Sequence, residues 1–349
     1  MWLKGLQAPG LRDKRQSEEN NNMLLFVIDA GTTTSRIRLT DGETIIASAK
    51  RQVGARDVAM TGSKDVLERA LKECVDELLK QTGIAADRID AAVASGMISS
   101  NMGLYEIPHL EAPMNADQLA SQLVRQVFPG ITDRPFVFIP GVKTGFQADT
   151  RLQDKDMMRG EEAEIFGYLD SLGDKRNESV LFMHYGSHHK CILLEEGSIT
   201  GCRTAITGEL MMAVSQNTIL KSSLLPVEEI MPDMARVREG LQIAKHTGFG
   251  RALFSTRVLD TMEKRSKQEA SSFFLGTLLA LDLQMVGEMI VPGTKRIVLY
   301  GKELFPSIFA PVLRETYPAL TVDVISDEQS DLLSAKGAVA IYKQYAEQA

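Results

Sequence analysis

Residues 26–36 constrain the fold of this chain more than any other stretch. They read Phe-Val-Ile-Asp-Ala-Gly-Thr-Thr-Thr-Ser-Arg, an apolar run that ends at an acidic residue, a glycine and three hydroxyl side chains, and a second short strand follows at 37–40. Gly31 permits a turn that a Cβ would obstruct, so successive N–H groups can point at one anion, while Thr32 and Thr33 add hydroxyl donors. The pattern predicts a β-hairpin that holds phosphate, with a simple turn as the alternative.

Two charged side chains flank this hairpin. Asp29 stands at the end of the first strand, where a carboxylate can hold Mg²⁺ directly or through water, as metal sites on nucleotide phosphates require. Arg36 opens the second strand, where it either neutralises phosphate charge or braces Asp29. A surface strand residue is the competing interpretation of Arg36.

Composition limits the class of protein. The 349 residues are 44% apolar and 24% charged, which is typical of a soluble globular chain long enough for two domains and a cleft. A net charge of −7 without a basic tract argues against nucleic-acid and membrane-surface partners, and we expect no apolar run long enough to span a bilayer. Cys74, Cys191 and Cys202 lack metal or disulfide spacing, which predicts reduced, buried thiols in a cytoplasmic protein.

The chain divides into three parts. Residues 1–22 mix charges and asparagines without the apolar core of a signal peptide, so we interpret them as a disordered leader, an artificial extension or the product of an upstream start codon. We expect one domain over 23–155 and a second over 156–349, with the last helix packing back towards the first domain.

The plan of the first hairpin recurs in the second half. An apolar strand over 179–185 leads into the Gly186-Ser187 turn, and strands follow at 191–194 and 199–204. Two copies of one strand-turn-strand unit predict two similar domains that face each other across a cleft. The remaining alternation of helices and strands is typical of an α/β fold.

Helical periodicity supplies the other elements. Apolar spacing predicts helices over 63–82, 117–127, 156–172, 207–214, 237–247, 271–289, 306–317 and 331–345. A strand over 295–300 ends at Gly301 before one of these helices, so a nucleotide base or ribose could approach the backbone there. The apolar helix over 271–289 fits a core position or a homodimer interface equally well.

Five motifs occur in one order: Asp-x-Gly-Thr-Thr-x-x-Arg (29–36), Ser-Gly-Met-Ile-Ser-Ser (95–100), Met-Arg-Gly-Glu-Glu (158–162), Gly-Ser-His-His-Lys (186–190) and Thr-Gly-Glu-Leu (207–210). Together they resemble the 2-dehydro-3-deoxygalactonokinase family, sugar-acid kinases of the actin-like ATPase superfamily. The resemblance runs from Met23 to the end of the chain. It implies two ribonuclease-H-like domains with a nucleotide and substrate cleft between them, and ATP and Mg²⁺ as cofactors.

The resemblance also implies roles for the site residues. Phosphoryl transfer needs its phosphates held and the attacking hydroxyl oriented. The first hairpin would bind the phosphates from one side. The second would bind them from the other side through Gly186 and Ser187. Related sugar kinases place a Gly-Asp pair at the start of the corresponding helix, which makes Glu161 the base, or Glu162 if the alignment shifts by one residue. A favourable helix dipole is the alternative reason for an acidic residue there.

The sugar acid is expected against the loop 96–113. Candidate contacts from this loop and from the second half are Gly96, Met97, Ser99, Glu106, Lys190 and Glu209. Glu209 is explained equally by capping of a helix N-terminus. His188 and His189 are adjacent on a turn and so point apart, and with no third ligand evident we assign them no metal.

This loop departs from the family pattern. Ser99 stands where the family has a second glycine, Leu104 where it has a tryptophan, and Tyr185 where it has a proline before the second hairpin. The first interpretation, which the family resemblance implies, is an ATP-dependent kinase that phosphorylates the C6 hydroxyl of 2-dehydro-3-deoxy-D-galactonate. The second is a kinase of another keto-deoxy or aldonic acid. The third is a nucleotide-binding regulatory member of the superfamily without kinase activity, which fold alone does not exclude.

Overall fold

A computed structural model describes residues 23–42, 44–172 and 177–348, and the predicted leader lies outside these ranges. The strands are β1 (Leu25–Ala30), β2 (Ser35–Thr40), β3 (Ile45–Arg51), β4 (Ala91–Gly96), β5 (Leu110–Glu111), β6 (Val124–Phe128), β7 (Thr132–Phe138), β8 (Val142–Thr144), β9 (Asp156–Met158), β10 (Ser179–Tyr185), β11 (His189–Glu195), β12 (Ser198–Ala205), β13 (Thr294–Gly301) and β14 (Thr321–Val324). The α-helices are α1 (Ala55–Thr61), α2 (Asp65–Thr82), α3 (Ala116–Ala120), α4 (Glu161–Ser171), α5 (Thr207–Asn217), α6 (Met234–Thr247), α7 (Phe249–Thr261), α8 (Lys267–Met289), α9 (Leu304–Thr316) and α10 (Asp327–Gln348).

Two larger sheets follow the same plan. The first has the order β3-β2-β1-β4-β7-β6, and the second has the order β12-β11-β10-β13-β14. Each begins with three consecutive antiparallel strands, after which parallel strands join the side of the first hairpin strand. A small third sheet joins β5, β8 and β9. The predicted α/β fold with a repeated opening hairpin is confirmed at the level of strand order.

Side-chain alternation along β1 shows how the layers form. Leu25 and Val27 belong to a core that includes β10, α4 and α10, whereas Phe26 and Ile28 belong to a second core that includes α2. Because successive side chains of a strand point to opposite faces, the first sheet is buried on both sides. A third core packs α6, α8 and α9 on the outer face of the second sheet. Helices α4 and α10 therefore lie in the layer that both sheets share.

Helices α4 and α10 approach each other at glycines. A Cβ on Gly167 would lie 2.2 Å from the Leu333 carbonyl oxygen, and a Cβ on Gly337 would lie 1.7 Å from the Ala163 carbonyl oxygen. No side chain fits at these points, so the two backbones are in direct contact. Helix α10 also contacts strands β1 and β4 of the first sheet.

Two sequence predictions of local structure are wrong. The predicted helix over 117–127 is the short α3 followed by β6, which pairs with β7 across the Pro129-Gly130 turn. A proline-glycine turn between two strands was the missed signal. The predicted helix start at 156 is strand β9, and α4 begins only after Gly160, whose φ of 116° suits glycine. Helices α1 and α7 were not predicted.

The expectation that no segment is long and apolar enough to span a bilayer is wrong for helix α8. By length and composition Lys267–Met289 is long and apolar enough to cross a membrane, which the sequence analysis did not expect. However, 78% of its apolar window is buried within this fold. The apolar side chains of α8 are therefore core residues. Helix α6 packs on α8 so closely that a Cβ on Gly276 would lie 1.9 Å from the Val237 carbonyl oxygen.

We predict that Gly337→Ala destabilises the protein, because its Cβ would overlap the α4 backbone and a packed core resists added atoms, at a cost of about 3 kcal/mol. Gly250→Ala is the matched control, since Gly250 lies in α7 with no atom within 4 Å of an added Cβ. It should leave stability unchanged or raise it by up to about 1 kcal/mol. Urea unfolding of both variants measures the difference, and equal midpoints would contradict the proposed helix contact.

Candidate active site

Both glycine hairpins open onto one cavity of about 990 Å³. Asp29, Gly31 and Thr32 line it from the first hairpin, and Ser187 and His188 line it from the second. The structure thus brings together two turns that are far apart in the sequence.

The start of a helix packs behind each hairpin. At the first, the N–H groups of Ala55 and Arg56 donate to the carbonyl oxygens of Gly31 and Thr32 at 3.2 and 2.8 Å. At the second, the Glu209 N–H donates to the Ser187 carbonyl oxygen at 2.9 Å. These bonds hold the shape of each turn.

Four predicted nucleotide-binding residues do not line the cavity: Thr33, Arg36, Gly186 and Gly301. Thr33 is exposed, and Arg36 pairs with Asp29 across the β1–β2 register. A Cβ on Gly301 would lie 2.5 Å from the Tyr185 carbonyl oxygen, so this glycine packs beside the second hairpin at the end of β13. The sequence predicted that a nucleotide base or ribose approaches the backbone at Gly301. In the structure the backbone of Tyr185 makes this close approach instead.

Two glycines in left-handed conformations bring α4 to the first hairpin. Gly96 has φ +85° and Gly160 has φ +116°, and a Cβ on Gly160 would lie 3.2 Å from the Gly96 Cα. A Cβ on Gly96 would in turn meet the Ala30 carbonyl oxygen at 2.7 Å and Asp29 Oδ1 at 3.4 Å. The first turn of α4 therefore begins close to Asp29, where its side chains can reach the cavity.

Glu161 and Glu162 occupy different environments. Glu161 lines the cavity, where its Oε2 accepts the Arg159 N–H at 3.0 Å and its Oε1 lies 3.9 Å from both Lys190 Nζ and His184 Nδ1. Glu162 is buried outside the cavity wall, and its two oxygens accept the N–H groups of Val142 and Gly160 at 2.7 and 2.6 Å. Burial, and then the neighbouring Glu161, raise the pKa of Glu162 to about 7.

Glu164 is a cavity residue that the sequence analysis missed. It stands one helical turn after Glu161, and its Oε2 is shielded from solvent without a well-formed hydrogen bond among the described residues. Burial, and then the charges of Glu161 and Asp29, raise its pKa well above the usual range, whereas the nearby Tyr300 hydroxyl lowers it. The three-residue spacing on a helix was the available signal.

Arg159 organises the loop that closes one side of the cavity. Its Nη1 donates to the carbonyl oxygen and Oγ of Ser99 at 2.7 and 2.6 Å, and its Nη2 donates to the Ile107 carbonyl oxygen at 2.8 Å. Nη2 also lies 3.2 Å from His109 Nδ1. Burial, and then the Arg159 charge, lower the pKa of His109 to about 4, so the ring is neutral near pH 7 and can accept this bond.

This arrangement corrects the prediction for Ser99, which is fully buried and bonded to Arg159 rather than lining the cavity. Gly96, Met97 and Glu106 do line it. Glu209 does not line it, and its exposed carboxylate lies 3.2 Å from His188 Nε2.

The cavity cations differ in their partners. Lys190 Nζ donates to the Thr204 hydroxyl at 3.2 Å and to the Met157 carbonyl oxygen at 3.3 Å, in addition to its contact with Glu161. Lys155 also lines the cavity, and its Nζ lies 5.7 Å from the centroid of the Phe146 ring. Within the described ranges its ammonium has no hydrogen bond or ion pair, so it can take an anion. No sequence signal distinguished Lys155.

The cysteines agree with the sequence interpretation. Cys74, Cys191 and Cys202 are buried and free. In the part of the chain that the structure describes, no group of three or more His, Cys, Asp or Glu side chains is placed to hold a metal.

Two similar sheets that each present a glycine hairpin to a shared cavity define the fold of the actin-like ATPases and sugar kinases. The structure is similar to that of a putative 2-dehydro-3-deoxygalactonokinase from Sinorhizobium meliloti, with a TM-score of 0.72 and 22% identity over 91% of this chain and 97% of that one. It is also similar to component A of the (R)-2-hydroxyglutaryl-CoA dehydratase from Acidaminococcus fermentans, with a TM-score of 0.52 and 13% identity over 93% and 99% of the two chains. At these identities the likeness shows the fold.

A model of the 2-keto-3-deoxy-galactonokinase family matches residues 29–333, and the chain belongs to that family. It is 25% identical over 264 residues to a probable 2-dehydro-3-deoxygalactonokinase from Rhizobium meliloti (strain 1021), covering 73% of this chain and 78% of the relative. It is 22% identical over 266 residues to the 2-dehydro-3-deoxygalactonokinase of Escherichia coli (strain K12), covering 76% and 81%. The resemblance inferred from the five motifs is confirmed, and membership of a kinase family implies the use of ATP.

Proposed function

We propose that this protein phosphorylates 2-dehydro-3-deoxy-D-galactonate at its C6 hydroxyl, with ATP as donor, in the cytoplasm. The observation that carries the proposal is the convergence of both glycine hairpins and Glu161 on one cavity, in a chain of the 2-keto-3-deoxy-galactonokinase family. Free, buried thiols fit the reducing cytoplasm.

The hairpins would hold the nucleotide phosphates. Gly31 and Thr32 from one side and Ser187 from the other present backbone and hydroxyl groups to the cavity. Phosphoryl transfer depends mainly on positioning and on stabilising charge, so two turns fixed by their backing helices suit this role. Closure of the cavity around both substrates would exclude water, which otherwise competes as acceptor.

Glu161 would orient the attacking hydroxyl. Glu161 lines the cavity, and its Oε1 lies 3.9 Å from both the Lys190 ammonium and the His184 ring nitrogen, so this oxygen has room to accept a hydroxyl proton. Both oxygens of Glu162 already accept backbone N–H groups, which favours a structural role for that residue. The structure therefore supports Glu161 over Glu162 as the base.

Asp29 and Glu164 fit a Mg²⁺ ion that travels with the nucleotide. Mg²⁺ keeps several waters and binds through one or two carboxylates together with phosphate oxygens, so no complete protein cage is needed. Glu164 offers a shielded oxygen without a well-formed hydrogen bond among the described residues, and the negative charge of Asp29 contributes to its raised pKa. A bound cation would offset that repulsion and favour the ionised form. When bound between these two carboxylates and the nucleotide, the ion would supply positive charge that offsets the negative charge of the phosphates.

Lys155 would bind the carboxylate of the sugar acid. Among the described residues Lys155 is the cavity lysine without an ion pair, whereas the Lys190 ammonium lies 3.9 Å from Glu161 Oε1. Met97 and Glu106 line the same cavity and would contact the rest of the sugar acid.

A coupled assay of ADP release tests the reaction. We expect release to depend on 2-dehydro-3-deoxy-D-galactonate and to fall when Mg²⁺ is chelated. A panel of keto-deoxy and aldonic acids serves as the comparison. Faster turnover of another acid would change the substrate, and ATP turnover that ignores every acid would exclude a sugar-acid kinase.

Glu161→Gln and Glu162→Gln should separate catalysis from stability. Loss of the base at Glu161 should lower kcat by about 10²–10⁴-fold while ADP binding and the melting temperature stay near wild type. Glu162→Gln should keep most turnover but lose about 1–3 kcal/mol of stability, because one buried N–H would lose its acceptor. Steady-state kinetics and urea unfolding give both readouts, and exchanged phenotypes would reverse the assignment.

The pH dependence gives Glu162→Gln a second signature. The pKa of Glu162 is raised from 4.5 to about 7 on folding, so the folded protein binds the extra proton and this residue's contribution to stability falls as pH rises through that window. Glutamine does not titrate, so the variant lacks this pH-dependent contribution to stability. The stability deficit of the variant should therefore shrink between pH 4.5 and 7.

Lys155→Met should raise KM for the sugar acid about tenfold or more, because a charged hydrogen bond to the carboxylate is lost, and leave KM for ATP unchanged. Lys143→Met is the matched control, since Lys143 Nζ lies 4.8 Å from the same Phe146 ring centroid but does not line the cavity. Equal effects of the two substitutions on KM would remove Lys155 from the substrate site.

A further inference from the structure

A fully buried polar network lies behind the second hairpin. His189, Asp282 and Thr207 expose none of their surface to solvent. His189 Nδ1 lies 2.8 Å from Asp282 Oδ2, and the Thr207 hydroxyl donates to Asp282 Oδ1 at 3.0 Å. A buried carboxylate is unfavourable unless hydrogen bonds compensate it, and here each oxygen has one side-chain partner.

The network joins three separate elements. Asp282 lies in helix α8, and Thr207 is the first residue of α5. His189 opens β11 and pairs with Tyr185 of β10, so these two residues close the hairpin turn that carries Gly186 and Ser187. One carboxylate in a core helix therefore contacts both the base of the hairpin and the start of the helix that backs it.

The fit between that helix and the hairpin leaves little tolerance. A Cβ on Gly208 would lie 2.4 Å from the Gly186 carbonyl oxygen, and the Glu209 N–H donates to the Ser187 carbonyl oxygen. A shift of either segment would open this contact and move Ser187, which lines the cavity. The aromatic rings of Tyr185 and Phe305, with centroids 4.8 and 4.6 Å from that of His189, restrict movement of the imidazole.

We propose that Asp282 is a positioning residue for the nucleotide phosphates, which it serves by fixing the second hairpin through His189 and the start of α5 through Thr207. The inference rests on the proposed kinase function. Asp282 does not line the cavity, so it acts only through the segments it holds.

Removal of the carboxylate should weaken nucleotide binding selectively. Asp282→Ala should raise Kd for ADP and KM for ATP about tenfold or more, because a misplaced hairpin loses hydrogen bonds to charged phosphate. KM for the sugar acid should stay within about twofold, since loss of the network leaves the opposite wall of the cavity intact. Calorimetric titration with ADP and steady-state kinetics measure these values.

Conservative and partial substitutions refine the test. Asp282→Asn keeps the shape and can still bond both partners, so it should restore most of the ADP affinity lost in the alanine variant. Thr207→Val removes only the bond to α5 and should give a smaller loss of the same kind. Because Thr207→Val is isosteric, it still tests the inference if the Asp282→Ala variant does not fold.

Thr277→Val is the matched control. Thr277 is equally buried on α8, but its hydroxyl donates at 3.2 Å to the Phe273 carbonyl oxygen of its own helix. It should affect melting temperature without a selective change in ADP affinity. Unchanged ADP affinity in Asp282→Ala and Thr207→Val, or an equal loss in Thr277→Val, would overturn the inference. Failure of the wild-type protein to bind ADP at all would instead overturn the proposed function and the inference with it.

Discussion

The direct backbone contact between α4 and α10 is the constraint on which the rest of the molecule depends. Both sheets pack against this pair, and the crossing is close because Gly167 and Gly337 carry no side chain. Since α4 begins at the cavity, any change in the crossing moves its first turn. The separation of the two sheets and the placement of the glutamates are thus set together.

The two hairpins share a design but are held by different means. Each turn is backed by the start of a helix, with Gly54 and Gly208 at the points of closest approach. Behind the second hairpin, a buried carboxylate adds a link to the core of its own half through α8. Phosphate-binding turns owe their rigidity to such supporting contacts, because the turn itself contributes few bonds.

Three glutamates in one helical turn show how environment decides chemistry. Glu161 lines the cavity, and Glu162 accepts hydrogen bonds from two backbone N–H groups. Glu164 lines the same cavity as Asp29 and has one oxygen shielded from solvent. All three are the same residue type at the start of one helix. Their different burial and partners separate a catalytic candidate, a structural group and a metal-binding candidate.

The sequence by itself determined the opening hairpin, its repeat and most helices, because strand and helix periodicities and glycine turns act over a few residues. It also carried the family motifs. Tertiary structure alone decided that Ser99 is buried against Arg159 and that Lys155 has no ion pair within the described part of the chain. Pairing with β7 makes 124–128 a strand despite its helical periodicity, and the Pro129-Gly130 turn was the only local sign of it. Each of these outcomes depends on contacts between segments that are far apart in the sequence. Such contacts determine which side chains are buried and which groups form hydrogen bonds, and a local sequence pattern does not contain that information.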